Sequence, residues 1–134
     1  MARHFVITAD GGSRGNPGKA AYGAVVYEND KIVKEVGAAI GIASNNVAEY
    51  EGLIAGLKAA NDIDPAATIL VKMDSKLVVE QMSGRWKVKH PNMQKLVKQA
   101  FATHDPTLVT YQWIPREENS HADSILNDVL DSGM

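Results

Sequence analysis

Two aspartates stand where apolar runs end: Asp10 after HFVITA and Asp74 after ATILVKM. Runs of this length and β-branched content predict strands over 4–10 and 67–73. If those strands are parallel neighbours, both carboxylates leave the same carboxyl edge of the sheet, where open α/β folds bind ligands. Two acids placed there repel each other unless a cation sits between them, so the pair points to metal-ion chemistry. A turn or a helix cap explains either residue taken alone. Further acids lie within reach of that edge. Glu49 and Glu51, in NNVAEYEGLIAGL, fall on opposite borders of one apolar helical stripe, and periodicity does not choose between them. Asp123, in NSHADSILN, sits in the first turn of the last predicted helix, where the helix dipole favours a carboxylate in any case.

The pattern also predicts the elements that would carry these acids. Strands are expected over 4–10, 20–28 and 31–42, with Asn29 and Asp30 supplying turn chemistry for an antiparallel hairpin. From Val47 the apolar positions Tyr50, Leu53, Ile54 and Leu57 recur at helical spacing, with Ser44 or Asn45 as N-cap and Asp64–Pro65 as the stop. A second phase follows: strand 67–73, a helix from about 75 to 82, a break at Ser83–Gly84, a helix from about 91 to 103, strand 107–114, and an amphipathic helix through Ala122, Ile125, Leu126, Val129 and Leu130. This order implies an α/β fold, a mixed sheet with an antiparallel and a parallel half covered by helices.

The chain's 134 residues suffice for one domain with one core. The absence of cysteine excludes a disulfide framework and a thiolate metal site, and the four histidines are too scattered for a zinc cluster. The apolar run before Asp10 is far shorter than a secretory core or a membrane span, so a cytoplasmic protein with no membrane contact is expected. A net charge of −2 argues against a generic nucleic-acid binder. The charges are nonetheless segregated. Between Lys72 and Lys98 seven bases face only Asp74 and Glu80, whereas from Asp105 onward Arg116 is alone among six acids. A local basic face on an acidic molecule is compatible with this, as is an ordinary solvated helix surface.

Four segments, TADGGSRGNPG, SNNVAEYEGLIAGL, MDSKLVVEQMSGRWKV and WIPREENSHAD followed by ILN, resemble the type 1 ribonuclease H family across nearly the whole chain. Each is weak alone; the four in this order and spacing are specific. The resemblance implies that residues 1–134 form a single ribonuclease H domain. Its fold would be a ribonuclease H-like five-stranded mixed sheet, three antiparallel strands plus parallel strands, with helices on both faces. It matches the family's catalytic, metal-holding carboxylates to Asp10, Glu49, Asp74 and Asp123, which selects Glu49 over Glu51. It implies an endonuclease that hydrolyses the RNA strand of RNA/DNA hybrids and leaves 5′-phosphate and 3′-hydroxyl ends. Oxygen ligands without histidine or thiolate suit Mg²⁺ or Mn²⁺, with two ions per site in the family's chemistry. By that analogy Asp10 bridges the ions, Asp123 joins it on the water-activating one, and Glu49 and Asp74 hold the other. Without metal, four converging acids retain at least one proton.

The same resemblance gives the glycines of the first segment a task. Gly11, Gly12, Gly15 and Gly18 permit close backbone approach, and a hybrid displays its 2′-hydroxyls in a wide, shallow minor groove. This stretch is therefore expected to read the RNA strand, with Asn16, Asn45 and Lys76 as further groove contacts; a lysine at the last position also suits phosphate. Ser44 matches a hydroxyl in the family's DNA-phosphate pocket, at a helix N-terminus suited to anions. Trp86, in the basic segment SGRWKVKH, is expected to stack on a deoxyribose. A strand connection, an N-cap and a core-packing tryptophan are the structural alternatives for these residues. A Walker loop is excluded by the missing Gly-Lys-Ser/Thr ending, and a Rossmann fingerprint by the hairpin that follows.

The chain also departs from the family. Ser83 to Pro91 is too short for the basic protrusion of some relatives, so weaker, more salt-sensitive hybrid binding, or a separate binding domain, is expected. IPREENSHA, between Trp113 and Asp123, lacks the mobile histidine that many relatives place well ahead of the last aspartate. His121 is two residues before Asp123 and already within the last predicted helix, so the task is not carried onto it; Glu117 or Glu118, or no residue, is the alternative. A monomer is expected, and fusion to another domain in a longer protein is compatible with the sequence. The competing reading is a catalytically weak or inactive hybrid-binding module of the same fold. Retention of four mutually repelling acids counts against it.

Overall fold

The computed structural model describes residues 3–132. In chain order the elements are β1 (His4–Arg14), β2 (Gly18–Glu28), β3 (Lys31–Ala43), α1 (Asn45–Ile63), β4 (Thr68–Met73), α2 (Lys76–Met82), α3 (Pro91–Thr103), β5 (Val109–Trp113) and α4 (Ser120–Ser132). They build one five-stranded sheet in the order β3-β2-β1-β4-β5. β1 pairs antiparallel with β2, and β2 with β3, while β4 lies parallel to both β1 and β5. This is the mixed sheet expected from the sequence.

Local chemistry accounts for the element boundaries. Asn29 and Asp30 take φ of 53° and 64°, the left-handed pair that a two-residue hairpin turn demands. The Ser44 hydroxyl accepts from Val47 N–H at 3.2 Å and starts α1; Ser75 does the same for α2 through Val78 N–H. Alternate residues of β1 and β4, among them Phe5, Ile7, Ala9, Ile69, Val71 and Met73, are buried in one cluster with Tyr50, Leu53 and Leu57 of α1. A smaller cluster of Ala21, Leu126 and Leu130 anchors α4. Helices thus cover both faces.

Beyond shifts of one or two residues at other element ends, three features differ from those expected. β1 does not stop at Asp10: Gly11 to Arg14 remain in the ladder opposite Tyr22 to Lys19, so the glycine-rich connection shrinks to the turn at 15–17. Backbone pairing with β2 continues through the glycines because a hairpin ladder needs no side chains. β5 starts late, at Val109, because the Asp105 carboxylate accepts from the N–H and hydroxyl of Thr107 and winds Pro106–Leu108 into a 3₁₀ turn. A second 3₁₀ turn, Arg116–Asn119, precedes α4 and was not foreshadowed by periodicity. Among the described residues no helix is long and apolar enough to cross a membrane.

Candidate active site

The parallel ladder between β1 and β4 ends at Thr8 opposite Lys72. Asp10 and Asp74 each lie two residues further, at the carboxyl edge of both strands. Asp10 is still held in the antiparallel ladder opposite Gly23 and is 7% exposed. Asp74 occupies the short link from β4 to the N-cap of α2. Glu49 comes from the start of α1 and Asp123 from the first turn of α4. All four carboxylates line one cavity of about 450 Å³, together with Gly11, Gly12, Asn45, Arg14 and Arg116. Glu51 lines a different groove, with Tyr22 and Lys58.

Crowding sets the electrostatics. Burial, then the charge of Asp74, then a hydrogen bond with Asp123 and its charge push the Asp10 carboxyl up to about 8; the Gly11 N–H donating to Asp10 Oδ1 at 2.9 Å pulls the other way. Burial raises Glu49 to about 7, opposed by a hydrogen bond from Ser75 and assisted by the charge of Asp74. Asp74 Oδ1 accepts from Asn119 Nδ2 at 2.7 Å, and its backbone carbonyl accepts from Trp113 Nε1 at 3.2 Å.

The remaining residues singled out in the sequence fall into two groups. Asn45 is in the cavity wall; its Oδ1 accepts from both the N–H and the hydroxyl of Ser13. Asn16 is attached to it, since Asn16 Oδ1 accepts from Asn45 N–H at 3.1 Å. Gly15, in the turn beside Asn16, has φ of 91°. Outside the cavity, Ser44 caps α1 and lines a neighbouring depression with His90 and Asn92. Lys76 reaches over the Trp113 ring, 5.6 Å from its centroid, and toward Glu80 at 3.9 Å. Trp86 is 46% exposed in the connection from α2 to α3.

Arg116 and Asn119 were not singled out in the sequence. Arg116 carried a usable signal, as the lone base among the acids of the C-terminal part. Asn119 carried none, because nothing in NSHAD shows that the amide would be buried against two other strands.

The four carboxylates can be tested against the divalent ions that the resemblance implies. Among the described residues no three His, Asp or Glu side chains stand as a closed metal cluster. Each acid is engaged locally instead, Asp10 with Asp123, Glu49 with Ser75, and Asp74 with Asn119. The donor set is all oxygen, and burial and mutual charge push the Asp10 and Glu49 carboxyls up, so a cation that offsets their charge is favoured there. Such a set fits hard divalent cations and excludes the softer transition-metal chemistry of thiolates and imidazoles.

Comparison with known proteins agrees with the fold. The Reverse transcriptase-like family matches residues 8–129. The bifunctional protein Rv2228c of Mycobacterium tuberculosis is 56% identical over 130 residues, which are 95% of this chain and 35% of that protein, so the chain spans about a third of this relative's length. The structure of the N-terminal RNase H domain of Rv2228c, solved as a fusion with maltose-binding protein, superposes with a TM-score of 0.91 at 54% identity, covering 98% of this chain and 96% of that one. LC11-RNase H1 in complex with an RNA/DNA hybrid superposes with a TM-score of 0.89 at 34% identity, covering 96% and 98%. With the five-stranded sheet and the acidic cavity in place, these likenesses establish that the chain belongs to the type 1 ribonuclease H family, within the reverse transcriptase-like group.

Proposed function

We propose that the chain is a metal-dependent endonuclease that hydrolyses the RNA strand of RNA/DNA hybrids and leaves 5′-phosphate and 3′-hydroxyl ends. The observation that carries this reading is the convergence of Asp10, Glu49, Asp74 and Asp123, from four different elements, on one open cavity. The hybrid bound to LC11-RNase H1 supports the choice of substrate. Two divalent ions, Mg²⁺ or Mn²⁺, held by these carboxylates would activate water and offset charge on the departing 3′ oxygen.

The chain's own residues position the substrate. Asn45 Oδ1 accepts two hydrogen bonds from Ser13, and Asn16 Oδ1 accepts one from Asn45 N–H, so the NH₂ of each is the group left to donate to a ligand. Two amide donors at the end of β1 suit minor-groove acceptors and 2′-hydroxyls, and Gly11, Gly12 and Gly15 let that edge approach the groove. The Ser44 hydroxyl accepts from α1 and keeps its own proton to donate to a DNA phosphate. Lys76, on the Trp113 side of the site, suits a backbone phosphate, and the exposed Trp86 suits a sugar face. Arg116 gives the cavity wall a fixed positive charge for a phosphate oxygen. On this reading residues 1–134 act as one domain and as a monomer in the cytoplasm, a setting that suits a chain without cysteine.

Matched RNA/DNA, DNA/DNA and RNA/RNA duplexes, each with Mg²⁺, Mn²⁺ or chelator, test the proposal. Cutting confined to the RNA of the hybrid and abolished by chelator is expected. Cutting that survives chelator, or tight hybrid binding with no cutting in any metal, overturns it; the latter result identifies a binding module.

A further inference from the structure

Asn119 is the most constrained polar side chain near the site and belongs to none of the groups that line it. It is 1% exposed. Its Nδ2 donates to the carbonyl of Ala9 at 2.8 Å and to Asp74 Oδ1 at 2.7 Å. Ala9 is the neighbour of Asp10, and Asn119 itself ends the 3₁₀ turn that leads into α4, the helix of Asp123. One amide thus joins the middle of β1 and the residue that follows β4 to the start of α4, and three of the four carboxylates stand at these places. Both acceptors face the same nitrogen, so the amide has one tenable orientation: turned over, its oxygen would meet a carbonyl and a carboxylate.

This orientation leaves Asn119 Oδ1 buried with no hydrogen-bond partner. A buried, unsatisfied carbonyl lowers stability, and an apolar residue of similar volume would avoid that loss. The two N–H donors favour asparagine in spite of that loss, because without them the Ala9 carbonyl and Asp74 Oδ1 would lose this donor: an ionised aspartate offers none, serine offers one, and glutamine is one methylene too long for a buried position.

We propose that Asn119 is a positioning residue for divalent-cation binding. It fixes Asp74 through one carboxylate oxygen, so that the other is presented to the cavity, and it holds Asp74 in register with Asp10. This deepens the nuclease reading above and rests on it. Outer partners of metal-holding carboxylates typically change affinity about tenfold to a hundredfold when removed.

The test compares wild type with Asn119→Leu, titrating Mn²⁺ by calorimetry after chelator has been removed, with urea melts and hybrid cleavage measured in parallel. Asn119→Leu is expected to unfold at a lower urea midpoint than wild type while remaining folded without denaturant, to bind Mn²⁺ at least tenfold more weakly, and to lose kcat with little change in KM for the hybrid. Should the leucine variant not fold, Asn119→Ser, which keeps one donor, is measured in its place and is expected to lose at least threefold in Mn²⁺ affinity. A folded variant that binds Mn²⁺ as wild type does overturns the positioning role, even if the wild type proves to be a nuclease. A wild type that binds Mn²⁺ but cuts no hybrid sinks the nuclease reading, and weaker Mn²⁺ binding by the Asn119 variant still supports the positioning role. A wild type that binds no Mn²⁺ overturns both.

Discussion

Gly11 and Glu49 meet backbone to backbone: a Cβ on Gly11 would stand 2.3 Å from the Glu49 nitrogen and 2.1 Å from the Ala48 carbonyl carbon. Neither neighbour is a flexible side-chain tip, so β1 and α1 must separate to admit one. Gly11→Ala is expected to cost about 3 kcal/mol or more, at or beyond the upper end of ordinary overpacking. Because Asp10 and Glu49 flank the contact, cleavage should fall more than tenfold even in protein that remains folded. Gly12→Ala is the stability control, since its Cβ would find nothing nearer than 3.7 Å. Urea melts of the two variants that coincide would show that the contact carries no strain.

The acidic cluster makes the metal-free protein pH-sensitive in a definite direction. Asp10 rises from 3.8 to about 8 and Glu49 from 4.5 to about 7 on folding, so the folded state binds the extra protons. An acid raised in this way lowers stability progressively as pH climbs from its unfolded value through its folded one. In chelator, stability should therefore decline as pH rises from about 4 to about 8. Asp10→Asn should remove most of that slope and stabilise the metal-free protein at pH 8, while Mg²⁺ should reverse the decline in wild type only. Denaturant melts at pH 5, 6, 7 and 8 measure this; a flat wild-type profile would count against the cluster's electrostatics.

Asp74→Asn separates charge from shape. The amide keeps an oxygen for the Asn119 donor, so the local hydrogen bond survives while the site loses a negative charge. Cleavage is expected to drop about 10²-fold or more, with hybrid affinity in chelator within about threefold of wild type, because phosphate contacts dominate binding. Single-turnover cleavage and a binding titration together decide the point. Retained turnover would place Asp74 outside the chemistry.

Much of this arrangement is legible in the sequence, for identifiable reasons. A strand that ends in aspartate twice, with helical sequence after the second, places Asp10 and Asp74 at one sheet edge, and the register at Thr8 and Lys72 agrees. Helical periodicity gave α1 but not the choice of Glu49 over Glu51, because both border the stripe; only the resemblance separated them. The extension of β1 through Gly11–Arg14 was missed because glycine signals turns, whereas here Gly11 is required by the close approach of α1. Asn119 was missed because its importance lies in long-range contacts to Ala9 and Asp74, which no local pattern encodes.

The basic connection after α2 should show its contribution in salt dependence. Arg85 is already committed to Glu80 through two hydrogen bonds of 2.6 and 3.1 Å, whereas Lys87 and Lys89 are exposed. Replacing Lys87 and Lys89 together by alanine is expected to lower the slope of log affinity against log salt by about 1.5–2, close to 0.9 per lost phosphate contact. Arg85→Ala should change the slope by less than about half a unit, since removing it also releases the Glu80 charge. Hybrid titrations in chelator at several salt concentrations give both slopes. Equal effects from the arginine and the lysine pair would mean that the Glu80 contact yields to the nucleic acid.

His121 offers a last discrimination, because it lies two residues from Asp123 yet its ring faces elsewhere. Its Nε2 contacts the Glu35 carboxylate of β3, and the ring is not part of the cavity wall. An exposed pair of this kind contributes at most about 1 kcal/mol, so His121→Ala should leave the urea midpoint nearly unchanged. If turnover runs without a histidine near the scissile phosphate, kcat should also stay within about twofold of wild type, a barrier change of less than about 0.5 kcal/mol. Steady-state cleavage of the hybrid measures it. A tenfold loss of kcat at unchanged stability would require the ring to leave Glu35 during turnover and enter the site, and would give α4 a moving part that this geometry lacks.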